Sequence, residues 1–151
     1  LLQTVVVGVG PDNVLVNTDC TLFATADEAE GQYGDAGLVN PSGSVTIVRG
    51  PFGTDTPPTV TTLVLDKWTD DELLEMGVHL PLSLNAMIYF NASSPGIDVA
   101  AAIADYSPAD VLEPEYLAWS GDESKIYVNL QENNAMVIVD VESNTLDGIH
   151  S

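Results

Sequence analysis

Residues 114–122 (PEYLAWSGD) decide the fold of this chain, because a similar stretch, residues 11–19 (PDNVLVNTD), precedes them at an offset of 103 positions. After a slip of one residue in the turn, residues 22–28 (LFATADE) lie over residues 126–132 (IYVNLQE). Each copy then enters another β-prone segment, residues 44–48 or residues 135–141. Such an internal repeat is typical of architectures built from stacked units.

Each copy is predicted to form three short strands, because β-branched and aromatic residues alternate with polar turns rich in Asn, Asp, Glu, Ser and Gly. A meander of this size cannot bury both of its faces alone and must stack against sister sheets, as propeller blades do. We therefore predict an all-β fold made of β-propeller blades. A propeller usually has about four to eight blades, so two copies form a partial propeller. The remainder of its own propeller, or other protein chains, would complete the ring.

The region between the copies breaks the repeat. We assign residues 1–48 to a first blade region, residues 49–113 to an inserted loop region and residues 114–151 to a second blade region, all within one larger propeller domain. Residues 69–72 (TDDE) form a capping box that predicts one short helix in the insertion, with its acids at the positive end of the helix dipole. A second short helix is predicted over residues 98–104.

The charge balance excludes several classes of partner. The chain carries 23 acidic residues against 3 basic ones, a net charge of −20. Nucleic acid is not expected to bind, because phosphates require clustered Lys and Arg. No run reaches the roughly 20 apolar residues that a membrane helix needs, so we expect no direct membrane insertion by this segment. The acid excess is typical of secreted, marine, calcium-facing or salt-adapted surfaces.

The chain opens on Leu1 without a basic segment, and its first apolar run, residues 5–9 (VVVGV), predicts a strand and not a signal peptide. We therefore expect a piece of a longer polypeptide. Cys20 is the single cysteine and permits no internal disulfide; it is an inert thiol or half of a bridge to another polypeptide. Asn91 begins the single glycosylation sequon, Asn91-Ala92-Ser93, which is compatible with secretion.

The second copy, above all residues 112–120 (LEPEYLAWS) and 126–135 (IYVNLQENNA), resembles the choice-of-anchor I proteins. That group includes mesenchyme-specific cell surface glycoproteins and bacterial proteins labelled alkaline phosphatase. The first copy agrees through residues 11–14, 26–30 and 43–48. Ala29 and Gly31 depart from the Glu-Gly-Glu-Pro pattern usual in the family, and residues 81–110 look like an insertion. The resemblance implies an extracellular, cell-surface or cell-envelope β-propeller with no settled activity.

Strand direction predicts where the acidic residues lie. The start of a first strand and the end of a second strand share one edge of an antiparallel sheet. Asp12 should therefore lie near the end of its partner strand, and Glu113 and Glu115 near the equivalent end in the second copy. Both clusters face the same way, and neighbouring blades would gather them on one face of the ring as an oxygen-rich set that suits Ca²⁺ or Mg²⁺. The candidate metal ligands are Asp27, Glu28, Glu30, Glu115, Glu132 and Asn133. The alternative is that these residues only cap strand ends.

Two functions remain open. The first is a structural and interaction module at the cell surface, with calcium on its acidic face. The alternative is a metal-dependent phosphomonoesterase of the alkaline phosphatase kind, whose site would be completed by blades absent from this chain. Phosphate-ester hydrolysis needs positive charge around the transferred group. None of Arg49, Lys67 and Lys125 lies in the acidic clusters, so no catalytic residues are assigned. His79 and His150 lack ligand partners at zinc spacing and are expected to be surface or packed residues.

Overall fold

The repeated hairpin forms the first half of each of two four-stranded antiparallel sheets. In the computed structural model, which describes residues 3–30, 32–34, 37–39, 41–80 and 107–151, sheet 1 has the order β1-β2-β5-β6 and sheet 2 the order β10-β9-β8-β7. A two-stranded hairpin, β3-β4, branches from sheet 1. The all-β prediction is confirmed, and within the described residues the sheets do not close into a ring.

The strand bounds are as follows. Sheet 1 contains β1 (Pro11–Val16), β2 (Leu22–Asp27), β5 (Ser44–Arg49) and β6 (Thr59–Val64). The hairpin consists of β3 (Gln32–Gly34) and β4 (Gly37–Val39). Sheet 2 contains β7 (Tyr116–Trp119), β8 (Lys125–Leu130), β9 (Ala135–Asp140) and β10 (Thr145–His150). Each sheet thus has a fourth strand, β6 or β10, beyond the three predicted for each copy. Sheet 1 extends past residue 48 because β6, within the segment assigned to the insertion, pairs with β5 along its whole length.

The two hairpins share one register. Val16 pairs with Phe23 in sheet 1, and Trp119 pairs with Ile126 in sheet 2, so both strands keep the offset of 103. The predicted slip of one residue is wrong, since the turns have equal length. Each turn puts one residue, Cys20 or Glu123, in the left-handed region at φ 57° or 59°.

An aspartate closes each of these turns in the same way. Asp19 Oδ1 accepts hydrogen bonds from the backbone N–H and hydroxyl of Thr21, at 3.2 and 2.6 Å. Asp122 Oδ1 accepts from the backbone N–H and hydroxyl of Ser124, at 3.1 and 2.8 Å. Side chains that bond a nearby backbone amide are ordinary turn chemistry. The matching bonds place the two turns at equivalent positions of the repeat.

The main core lies between one face of sheet 1 and one face of sheet 2. The core face of sheet 1 carries Leu15, Ala24, Val45, Ile47 and Leu63, and the core face of sheet 2 carries Ile126, Val128, Leu130, Val137 and Val139. Strand β7 packs against β1 and β2. The Trp119 indole Nε1 donates to the Val16 carbonyl oxygen at 3.1 Å, which fixes the first strands side by side.

The predicted short helix is confirmed as α1 (Asp70–Glu75). Thr69 accepts from the Glu72 backbone N–H, while the Glu72 carboxylate accepts from the Thr69 backbone N–H at 2.8 Å. Leu73 is fully buried in the core and so anchors the helix there. Gly77, at φ 79°, follows the helix. The second predicted helix, over residues 98–104, lies outside the described residues.

Residues 3–10 form an extended strap across the second face of sheet 1. The Gly8 N–H donates to the Thr46 hydroxyl at 3.2 Å, and the Gly10 and Val9 carbonyls accept from the N–H groups of Glu28 and Ala29 at 3.0 Å. Strands β2 and β5 are therefore buried on both faces. Each of them lies between the core and the strap.

The strap closes over a buried carboxylate. Asp27 has no exposed surface, and its oxygens accept from the hydroxyls of Thr25, Ser44 and Thr46 at 2.7, 3.0 and 2.6 Å. A buried charge is tolerated only when hydrogen bonds satisfy it. A Cβ atom at Gly8 would lie well inside contact distance of both Asp27 Oδ2 and Ser44 Oγ. Only glycine leaves room for the strap above this network.

We predict that Gly8→Ala lowers the free energy of unfolding by about 1–3 kcal/mol, because the methyl group must displace the strap or the carboxylate. Urea unfolding followed by circular dichroism measures this. Gly121→Ala is the matched control, since a Cβ at Gly121 meets no atom within 4 Å, and its effect should stay within about 0.5 kcal/mol. Equal stability of the two variants would contradict the proposed packing of the strap.

Candidate functional site

The two sheets present their acidic strand ends on one common surface. Asp12, Glu28 and Glu30 lie at the ends of β1 and β2, and Glu115 and Glu132 lie at the equivalent ends of β7 and β8. Glu113 precedes β7 and lies among them. These carboxylates are close enough for their negative charges to repel one another across the two sheets. We call this set the acidic face; its members are Asp12, Glu28, Glu30, Glu113, Glu115 and Glu132.

The stacking of the sheets explains why these acids meet. Strands β1 and β7 start at the same edge, and the Glu115 N–H donates to the Asn129 carbonyl at 3.0 Å, which extends the β7–β8 ladder to the acidic face. Because the repeats share one register, equivalent strand ends from both sheets lie next to each other. The predicted juxtaposition of the two acidic clusters is therefore found in the structure.

Mutual repulsion and burial dominate the electrostatics here. Burial is the largest cause that raises the pKa of Glu113 to about 7, followed by the charges of Glu28 and Glu132. The pKa of Glu28 is also raised, by burial and then by Asp12 and Glu30. The pKa of Glu115 is raised by burial and by Glu132. Protons, or a bound cation, would relieve this repulsion.

Asp27 and Asn133 are engaged elsewhere. Asp27 lies under the strap, with its carboxylate bonded to hydroxyls. Asn133 is fully buried: its Oδ1 accepts from the Glu113 N–H at 3.1 Å, and its Nδ2 donates to the carbonyls of His79 and Val111 at 3.0 and 2.7 Å. Asn133 thus fixes the backbone that carries Glu113. Glu113 and Asp12, absent from the candidate ligands, belong to the acidic face, and the strand-end argument does include them.

Within the part of the chain that the structure describes, no three side chains of His, Cys, Asp or Glu converge in a geometry that could hold a metal ion. The acids of the acidic face lie close enough to raise one another's pKa. The metal site stays a prediction. His79, expected to be a surface or packed residue, is exposed, and its Nδ1 lies 2.9 Å from the Glu132 carbonyl oxygen.

The chain's three basic residues are all engaged away from the acidic face. Lys125 forms ion pairs with Asp140 and Asp147, each at 2.9 Å. Lys67 donates to the Leu146 and Asp147 carbonyls at 2.6 and 3.2 Å. The Arg49 guanidinium donates to the Val141 carbonyl and, at 3.1 Å, to Asn144 Oδ1. Within the part of the chain that the structure describes, no Lys or Arg side chain therefore bonds a carboxylate of the acidic face.

A cleft of about 500 Å³ lies beside the β1–β2 turn, at the opposite end of sheet 1, and is lined by Cys20, Thr21, Arg49 and Phe52 among others. The Cys20 thiol is exposed and free. Arg49, which lines this cleft, also bonds Val141 and Asn144 in the β9–β10 connection of sheet 2. Asn91, the predicted glycosylation acceptor, lies outside the described residues.

A family model described as the choice-of-anchor I domain matches residues 1–151. No curated protein and no solved structure matches the chain. Among the described residues, no helix has the length and apolarity required to span a membrane.

The raised pKa of Glu113 gives a pH prediction. The folded protein holds this proton up to about pH 7, whereas the unfolded chain releases it near the ordinary glutamate pKa of 4.5. The stabilisation is therefore fully present below about pH 4.5 and is lost as the pH rises to about 7. Glu113→Gln mimics the protonated acid. In this variant the free energy of unfolding should fall less between pH 4.5 and 8, by on the order of 1 kcal/mol once solvent screening is taken into account.

Chemical unfolding at several pH values between 4.5 and 8 measures how the free energy of unfolding changes with pH. Glu142→Gln serves as the control, because Glu142 is exposed in the β9–β10 turn and should leave the slope unchanged. If Glu113→Gln and the native sequence lose the same free energy of unfolding over this range, Glu113 is not the group that stays protonated in the folded protein.

Proposed function

This chain belongs to the choice-of-anchor I family, and from that membership we propose that it is an extracellular structural and interaction module whose acidic face takes up Ca²⁺. The family consists of domains associated with the cell surface. The observation that carries the proposal is the acidic face itself. It is built from both sheets, and the Lys and Arg side chains bond other parts of the protein.

The proposed architecture is an arc of a β-propeller, and the way in which the sheets face each other supports it. By the shared register, Ile126 and Val128 on the core face of sheet 2 are equivalent to Phe23 and Thr25. Those two residues lie on the second face of sheet 1, opposite its core face. Unlike faces therefore pack together, which is head-to-tail stacking. Head-to-tail contacts generate rings when the rotation closes.

Oxygen chemistry supports Ca²⁺ as the cation. The donors available on the acidic face are carboxylates and backbone carbonyls, which hard divalent ions prefer. The acids do not yet converge, so binding requires side-chain rotation. We expect an affinity in the range of extracellular calcium modules, about 10⁻⁴ to 10⁻³ M. Bound Ca²⁺ would replace repulsion between the sheets by attraction and so stabilise their packing.

We predict that 10 mM CaCl₂, at constant ionic strength, raises the melting temperature by about 3–6 °C. At a Kd of about 10⁻³ M, the weaker end of that range, 10 mM is about ten times Kd and stabilises the native state by roughly 1.4 kcal/mol. Each kcal/mol shifts the melting temperature of a chain of this size by about 2–4 °C. Differential scanning calorimetry with and without EDTA measures the shift. Glu132→Gln should reduce it at least twofold, while the exposed control Glu142→Gln should retain it.

A general salt response is the outcome that would contradict this role. Screening by KCl alone also relieves repulsion between carboxylates. Stabilisation by KCl that equals the effect of CaCl₂ at matched ionic strength would indicate salt adaptation without a calcium site. The comparison separates the two readings because screening depends on ionic strength and not on the identity of the ion.

The metal-dependent phosphomonoesterase is the second reading, and the described contacts do not favour it. Each basic side chain is bonded within the protein, away from the acidic face. With Ca²⁺, Mg²⁺, Mn²⁺, Fe or Zn²⁺ supplied, we expect no hydrolysis of p-nitrophenyl phosphate above the metal-only background. Turnover that disappears on chelation and in Glu132→Gln, but persists in Glu142→Gln, would overturn the non-enzymatic assignment.

A further inference from the structure

Asn133 lies in the turn between β8 and β9 and is fully buried, although turn residues usually lie at the surface. Its backbone N–H donates to the Leu130 carbonyl at 3.2 Å, and its own carbonyl accepts from the His79 N–H at 2.9 Å. Its side-chain amide makes the three further bonds described above. Both backbone groups and both side-chain polar atoms are therefore hydrogen-bonded, as a buried polar residue requires.

The Asn133 amide joins stretches of the chain that are far apart in sequence. Its Nδ2 binds the carbonyls of His79, which follows α1, and of Val111, and its Oδ1 binds the N–H of Glu113. Between these last two residues lies Leu112, whose side chain is fully buried in the core. The backbone is thus anchored on both sides of a core residue. This fixes the point at which the Glu113 side chain leaves the backbone.

The same turn fixes Glu132. Glu132 immediately precedes Asn133, and the Nδ1 atom of His79 lies 2.9 Å from the Glu132 carbonyl oxygen. The backbones that carry Glu113 and Glu132 therefore meet at one buried amide. Their carboxyls interact, because the charge of Glu132 helps to raise the pKa of Glu113, after burial and the charge of Glu28.

We propose that Asn133 is a positioning residue of the acidic face and not a ligand: its amide sets the spacing at which the carboxylates of Glu113 and Glu132 meet. The side chain has no exposed surface from which to reach a cation. Residues that orient metal ligands without touching the metal often matter nearly as much as the ligands themselves. The positioning does not require Ca²⁺; only its consequence for Ca²⁺ binding rests on the proposed function.

A double-mutant cycle in EDTA tests the positioning. Glu113→Gln and Glu132→Gln are introduced singly and together, and urea unfolding at pH 8, where Glu113 is ionised, gives the folding equilibrium constants. Because either substitution relieves the same repulsion, the double variant should gain less than the product of the two single gains, by about twofold or more. In an Asn133→Ala background this coupling should disappear, and the two gains should multiply.

Val139→Ala is the matched control background. Val139 is fully buried in the core and pairs with Ile126, at the end of sheet 2 away from the acidic face, so this variant is destabilised while the coupling persists. Asn133→Asp is the second variant if the loss of three hydrogen bonds prevents folding. It keeps the shape and Oδ1 but loses the donors to His79 and Val111, and the coupling should again disappear. Coupling that is absent from the native sequence, or unchanged by either Asn133 variant, would overturn the proposal.

Calorimetric titration with CaCl₂ separates a positioning residue from a ligand. Asn133→Asp adds a charged oxygen, which would tighten Ca²⁺ binding if residue 133 were a ligand. Loss of the amide donors should instead weaken binding by about tenfold, and tighter binding would overturn the positioning role. A native chain that binds no Ca²⁺ would refute the proposed function while the cycle still decides the positioning. Native Ca²⁺ binding with unchanged coupling in the Asn133 variants would refute the positioning alone.

Discussion

Head-to-tail packing of two equivalent sheets is the constraint on which the rest of this structure depends. Each four-stranded sheet is too thin to bury its apolar side chains alone. The core face of sheet 1 covers the core face of sheet 2, and the Trp119–Val16 hydrogen bond holds the first strands together. Because the faces in contact are not equivalent in the repeat, each sheet retains one face of the opposite kind. One face of each sheet therefore lies outside the core that the two sheets share.

The same packing creates the acidic face. Equal registers bring equivalent strand ends side by side, so acids that would be ordinary turn residues in one sheet become neighbours across two. Glu113 carries the largest consequence, since its carboxyl is partly buried among other acids while its backbone is held by Asn133. The chain's basic residues instead tie strands and turns together elsewhere. Proteins retain unfavourable charge where a site requires it, which is why calcium uptake is the proposed use of this surface.

The repeat, the three strands of each copy, the capped helix and the meeting of the acids could be predicted from the sequence. The Pro-rich loop before β6 concealed that this strand completes sheet 1. The alignment of β2 with β8 was wrong by one residue because nearly every residue of β2 is buried. A strand that is buried on both faces lacks the alternation of apolar and polar residues that shows which face each residue occupies. The burial of Asp27 could not be predicted, because its partners Ser44 and Thr46 and the strap residue Gly8 are far from it in the sequence. No pattern near residue 27 indicates these hydrogen bonds.

The most direct test of the stacking is a methyl and indole NOESY spectrum of the labelled protein. The account predicts cross-peaks from the Trp119 indole N–H to protons of Val16 and Asn17. It also predicts cross-peaks between the methyl groups on the core face of sheet 1 and those on the core face of sheet 2. Strong cross-peaks within each sheet, with none between the core faces, would contradict the account, because the sheets would then be folded but not stacked.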